Sequence, residues 1–200
     1  MSKASTETLD FDEEARKLWE RLNIDPNTKS SGQWNPLDPI WRHPAGGGTI
    51  YVGNQTAAAN QDLLAAHGIS HVVNCTIGSS QIPNFFEKSG QIQYYRFSIS
   101  HWQMYTDDSD QSIMAFTKDL FGFIEQAVAS GESVMVHCLA GAHRAGTTGC
   151  ACLIYFADMD VRTAIRSAKK CRSIIDPIGS LPDFLVRLQR AKEAGALARK

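Results

Sequence analysis

His137-Cys138-Leu139-Ala140-Gly141-Ala142-His143-Arg144 decides how this chain is read. The apolar run Ser133-Val134-Met135-Val136 leads into it, and an apolar helical pattern leaves it from Ala145. That order spells strand, tight loop, helix. Gly141, between the cysteine and the arginine, can take backbone angles closed to other residues. Such a loop turns its N–H groups inward, and the helix that follows adds its positive end. An anion is therefore expected on residues 139–144. The same field favours a thiolate at Cys138, and Arg144 can grip two oxygens of one phosphate.

The pattern His-Cys-x-x-Gly-x-x-Arg resembles the signature of the cysteine-dependent protein tyrosine phosphatase superfamily. The flanking phrases Ile50-Tyr51-Val52-Gly53-Asn54 and His67-Gly68-Ile69-Ser70-His71-Val72-Val73-Asn74-Cys75 look like its dual-specificity branch. The resemblance covers residues 48–192. It implies that Cys138 is the nucleophile, that a phosphocysteine forms, and that water then hydrolyses it. Leu139, Ala140, Gly141, Ala142, His143 and Arg144 would be the phosphate-binding loop. His137 would brace that loop and tune the thiolate, Asn74 would prop it by hydrogen bonds, and Arg172 would be structural. Where relatives often carry Pro-Asn, this chain has Pro177-Ile178, which removes one supporting contact. No metal or other cofactor is expected.

The leaving oxygen needs a proton donor. The segment His101-Trp102-Gln103-Met104-Tyr105-Thr106-Asp107-Asp108-Ser109-Asp110 holds three carboxylates. The resemblance, aligned through Phe123-Ile124-Glu125-Gln126-Ala127, puts the acid at Asp107, with Asp108 next. Asp110 is placed to cap the helix that follows. Ile99-Ser100-His101-Trp102 resembles the strand end where the family's acid often directly precedes His-Trp, yet here a serine holds that slot. Many relatives carry Ser or Thr after the arginine, to help the thiolate leave. This chain has Ala145, so the second step should be slow unless Thr147 or Thr148 substitutes. Phosphoinositide phosphatases tend to place lysines inside the loop, but here Leu139 and Ala142 are neutral. His143 is the unusual polar group, facing either substrate or solvent. Cys75 is a candidate for a protective disulfide with Cys138.

The rest of the chain sets the frame. The fold class expected is α/β: a mostly parallel sheet of about five strands, with helices on both faces. Strands are read at 50–52, 69–75, 92–99 and 133–136, and helices at 57–67, 111–130, 144–157, 160–171 and 181–194. The phosphatase domain is expected over 48–194, with a basic tail at 195–200. Residues 1–47 are read as an N-terminal helix followed by a Pro- and Gly-rich wrap or linker. Asp10 and Glu13 open that helix in the manner of a capping box. Phe11, Ala15, Leu18, Trp19 and Leu22 give it an apolar face that should dock on something. Arg16-Lys17 with Leu22-x-Ile24 loosely matches the basic-plus-apolar peptides that bind MAP kinases. The partner expected is thus a phosphorylated protein, with a kinase among the candidates.

Two hundred residues with 43% apolar content can fill one core. A net charge of −1 gives no global field for nucleic acid or membrane. No apolar run approaches the roughly 18–20 residues of a membrane span. The N-terminus lacks the apolar core of a secretory signal and a glycine at position 2, and no prenylation box ends the chain. Cysteines 75, 138, 150, 152 and 171 are odd in number and lack disulfide-framework spacing. Reduced thiols in cytoplasm or nucleus are the expectation, and Cys150-x-Cys152 belongs to a packed helix. Beyond a dual-specificity protein phosphatase, two readings stay open: a phosphatase of phosphoinositide, glucan or nucleotide, and a phospho-binding pseudophosphatase.

Overall fold

A computed structural model describes residues 9–22, 24–25 and 35–197. The stretch holding Pro26 and Trp34, and the end of the basic tail, lie outside the described residues. Five strands form one sheet in the order β1-β2-β5-β3-β4. They are β1 Leu37–Arg42, β2 Thr49–Gly53, β3 Ile69–Asn74, β4 Gln93–Arg96 and β5 Ser133–His137. The β2–β5, β5–β3 and β3–β4 pairs are parallel, and β1 joins antiparallel at the edge. β5 is buried along its whole length, as a central parallel strand must be. Its alternating side chains serve both faces. Val134 and Val136 enter the larger core, and Met135 enters the smaller one on the other face.

Helices α1 Phe11–Arg21, α2 Gln55–Ala58, α3 Gln61–Ala66, α4 Trp102–Tyr105, α5 Asp110–Ala129, α6 Arg144–Phe156, α7 Val161–Cys171 and α8 Leu181–Leu197 complete the described chain. The larger core joins β2 and β5 to α5, α6 and α8 through Ile50, Val52, Leu120, Ile124, Leu153 and Phe184. The smaller core packs Ala57, Ala58 and Leu64 of α2 and α3 on Val72 and Met135.

Three local expectations change. The helix read at 57–67 is two short ones, because Asn54 and Asn60 each cap a new start, accepting from the N–H groups of Ala57 and Leu63. α5 is capped by Ser109, whose hydroxyl accepts from Ser112 N–H, so Asp110 is the first helical residue and not the cap. The Pro-rich wrap contains a strand of the sheet. Pro39 lacks an N–H and is tolerated on the edge strand β1, where the register shifts between Pro39 and Trp41. Gly46-Gly47-Gly48 reads as a flexible run, yet it is packed against the end of α5. A Cβ at Gly46 would lie 2.3 Å from the Val128 carbonyl oxygen, and one at Gly48 would lie 2.1 Å from that of Glu132.

Candidate active site

The loop after β5 is shaped by where its carbonyls go. Leu139 C=O accepts from Gln55 N–H at 3.0 Å, and Ala142 C=O from Asp176 N–H at 3.1 Å. Ala140 and Gly141 C=O each accept from the Arg172 guanidinium, both at 2.9 Å. His143 C=O accepts from Thr147 N–H and hydroxyl. All peptide bonds here are trans, so an outward carbonyl means an inward N–H on the next residue. The N–H groups of residues 140–144 thereby point away from those partners, at the N-terminus of α6. That is an anion cradle. Gly141 has φ +68°, and a Cβ there would meet the Gly53 carbonyl oxygen at 2.4 Å. The loop requires glycine twice over, for its angle and for that approach.

Arg172 is the strut. It is buried, donates to the two loop carbonyls and to Asn35 C=O, and pairs with Asp38 of β1 at 2.7 Å. The structural role expected for Arg172 is thus a specific one: it holds residues 140–141 in place from the edge strand. His143 does not face solvent. It is buried, and its Nδ1 lies 2.6 Å from the Asp176 carbonyl, tying the loop to the segment after α7.

Cys138 follows β5 directly and is 2% exposed. His137 beside it is fully buried, and neither ring nitrogen has a hydrogen-bond partner among the described residues. It braces by packing. Burial, with the nearby Arg96 and Arg144 charges, pushes its pKa down from 6.5 to about 3. The folded state therefore holds the ring neutral, while the unfolded chain takes a proton as pH falls through 6.5. Stability from this residue is complete above that pH and is lost on acidification toward 3. At pH 5 the loss is about 2 kcal/mol. Denaturant unfolding should show wild type losing that much more than His137→Phe between neutral pH and pH 5. Equal losses in the two proteins contradict a buried neutral ring.

The expected props bond elsewhere, and the candidate acids lie on the segment before α5. Asn74 does not hold the phosphate loop. Its Nδ2 donates to Ile82 C=O and Asn84 Oδ1, and its Oδ1 accepts from Thr76 N–H and hydroxyl. It orders the 76–84 connection, because those donors and acceptors lie nearer in sequence than the loop does. Thr147 and Thr148 direct their hydroxyls back to the carbonyls of His143 and Arg144, so neither supplies the hydroxyl that Ala145 lacks. Asp107 folds its carboxylate onto Ser109 N–H and hydroxyl, which hold its pKa below the usual range. Arg187 of α8 donates to the Asp107 carbonyl, and Arg190 to that of Asp108. Among the described residues, neither carboxylate bonds to the phosphate loop. Cys75 keeps its thiol 3.4 Å from the Thr148 hydroxyl, and burial pushes its pKa up to about 12. Cys75 and Cys138 both stand as free thiols.

Two carboxylates that the sequence reading passed over belong to the site. Asp38 partners the strut Arg172. Asp12, in the first turn of α1, forms a buried ion pair with Arg144 Nη2. Helix α1 lies on the loop, with Ala15 and Leu18 against Ala140, Ala142 and Ile174. Of the basic-plus-apolar stretch, Lys17 pairs with Glu13 and Glu14, Ile24 packs against the same apolar cluster as Leu139, and Leu22 is exposed.

Comparison with known proteins identifies the family. The family model for the dual specificity phosphatase catalytic domain matches residues 50–190. Human dual specificity protein phosphatase 9 is 34% identical over 140 residues, 68% of this chain and 34% of that protein. Human dual specificity protein phosphatase 6 is 30% identical over 174 residues, 82% of this chain and 42% of that protein. The chain thus spans about a third to two fifths of the length of these relatives. Two solved structures share the fold. A mouse putative dual specificity phosphatase complexed with zinc tungstate has a TM-score of 0.64 at 22% identity, covering 85% of this chain and 96% of that one. Human DUSP28 has a TM-score of 0.56 at 21% identity, covering 84% and 99%. With the cysteine, the arginine and the loop between them all in place, the chain belongs to the dual specificity phosphatase catalytic-domain family.

Proposed function

We propose that this chain is a cysteine-dependent protein phosphatase acting on phosphotyrosine and on phosphoserine and phosphothreonine. The observation that carries this reading is the run of five outward carbonyls between Cys138 and Arg144, which leaves their N–H partners to hold phosphoryl oxygens. The Cys138 thiolate attacks phosphorus and the P–O bond to the substrate breaks. Arg144 and the loop N–H groups carry the charge on the equatorial oxygens. Asp107 or Asp108 protonates the leaving oxygen. Asp107 must first release Ser109 to do so. Water then attacks phosphorus, the P–S bond breaks, and phosphate leaves. The neutral side chains of Leu139 and Ala142 favour a protein monoester over a polyanionic inositol phosphate.

Activity toward phosphotyrosine and phosphothreonine peptides, with none toward phosphoinositide vesicles, is the expected outcome. Preference for the vesicles moves the chain to the lipid reading. The second half-reaction gives a sharper test. With Ala145 in the place of a hydroxyl, and Thr147 and Thr148 bound elsewhere, phosphocysteine should accumulate. Rapid mixing with a chromogenic aryl phosphate should show a burst of about one product per active chain before a slow steady state. Ala145→Ser should raise that steady state about tenfold, the worth of one hydrogen bond to the departing sulfur. A linear start, or no gain in the serine variant, removes the argument.

A further inference from the structure

A carboxylate of the chain itself already sits on the phosphate-binding arginine. Asp12 and Arg144 are 7% and 3% exposed, and their ion pair is shut away from water. The pairing uses only part of the guanidinium. Arg144 Nε is buried with no partner among the described residues. A carboxylate thus satisfies one prong of a fork that a phosphoryl group, with its three oxygens, can fill. The rest of α1 continues the cover. Ala15 and Leu18 are buried against Ala140, Ala142 and Ile174, with Trp19 and Ile24 beside them. At the helix start, the Phe11 ring lies 5.8 Å from the Arg144 guanidinium carbon. Elsewhere on the helix Lys17 pairs with Glu13 and Glu14 in solvent. Cys138, in the same apolar cluster as Phe11, is 2% exposed.

Building on the phosphatase reading of the site, we propose that α1 is an intrasteric plug. In this arrangement Asp12 holds the place of a phosphoryl oxygen on Arg144, and substrate reaches Cys138 only when α1 lifts. The competition is between a carboxylate of single charge, held close by its tether, and a phosphate of higher charge that also takes the loop N–H groups. A phosphorylated ligand therefore displaces the helix, but its apparent affinity is reduced by the fraction of chains that stand closed. Asp12 has two other conceivable roles. A proton donor would lose activity on amidation. A purely structural ion pair would yield no active-site gain when broken.

The test uses the full chain, with Asp12→Asn to remove the carboxylate's charge and Leu18→Glu to break the apolar contact. Each variant should raise kcat/KM for an aryl phosphate by about tenfold or more, as a closed fraction above roughly nine tenths requires. Calorimetry should show tungstate, an inert tetrahedral oxyanion, binding more tightly by a similar factor. Alkylation of Cys138 by iodoacetamide should quicken in parallel. If Asp12→Asn melts as an unfolded chain, Leu18→Glu is judged by the same three readouts. Unchanged or lower kcat/KM and tungstate affinity in the folded variants overturn the plug. Should every protein be inactive on the aryl phosphate, tungstate affinity alone decides. Activity that persists in Cys138→Ser overturns the phosphatase reading instead. Equal activity with and without Asp12, all of it dependent on Cys138, overturns the plug alone.

Discussion

Arg172→Ala is expected to cost about 3–5 kcal/mol of stability and to abolish activity with it. Arg172 spends its guanidinium on the chain itself. It donates to the carbonyls of Ala140, Gly141 and Asn35, and its remaining partner is the Asp38 carboxylate. Truncation strands three acceptors and one carboxylate in a site where Arg172 is only 2% exposed. Leaving a buried charge unpaired is the largest of these costs. The double variant Arg172→Met with Asp38→Leu separates stability from function. Removing both charges should restore much of the stability, because no buried ion is left alone. It should not restore activity, because nothing then holds the loop carbonyls outward. Denaturant midpoints and aryl phosphate turnover on the two variants check both halves. A loss under about 1 kcal/mol in Arg172→Ala contradicts the strut, given what breaking a buried pair ordinarily costs.

The parts of the site that could be read from the sequence are those that lie within one strand-loop-helix unit. Cys138, Gly141 and Arg144 declare themselves by residue type and spacing, since a local turn at a helix start needs only local residues. The sheet followed from apolar runs alternating with amphipathic ones. The parts that stayed hidden are joined across the chain. Asp12 meets Arg144 over 132 positions, and Asp38 meets Arg172 over 134. No periodicity encodes such a meeting. Asp12 reads as an ordinary acid in a helix first turn, and Asp38 as a charge between prolines. His143 is tied down in a related way: a carbonyl from after α7 comes in to meet its Nδ1. Asn74 and Thr147 fail as direct supports because nearer donors and carbonyls claim their polar atoms first. Edge strand β1 was obscured by Pro39, which argues against a strand everywhere except at an edge.

Cys138→Ser is expected to lower turnover by on the order of 10⁴-fold or more, the scale seen when an enzyme loses its nucleophile. Sulfur is intrinsically the stronger nucleophile of the two. A serine hydroxyl, moreover, stays protonated. The variant should keep its fold, because sulfur and oxygen differ little in size, and should still bind tungstate. The comparison thus isolates chemistry from binding. Its most direct form follows the phosphoryl group itself. The full chain is mixed with a radiolabelled aryl phosphate, quenched in acid before one turnover is complete, and digested for peptide mapping. The account predicts label on the peptide carrying Cys138, approaching one phosphate per active chain, and none in Cys138→Ser. Label on any other residue, or turnover at the wild-type rate by Cys138→Ser, would contradict it.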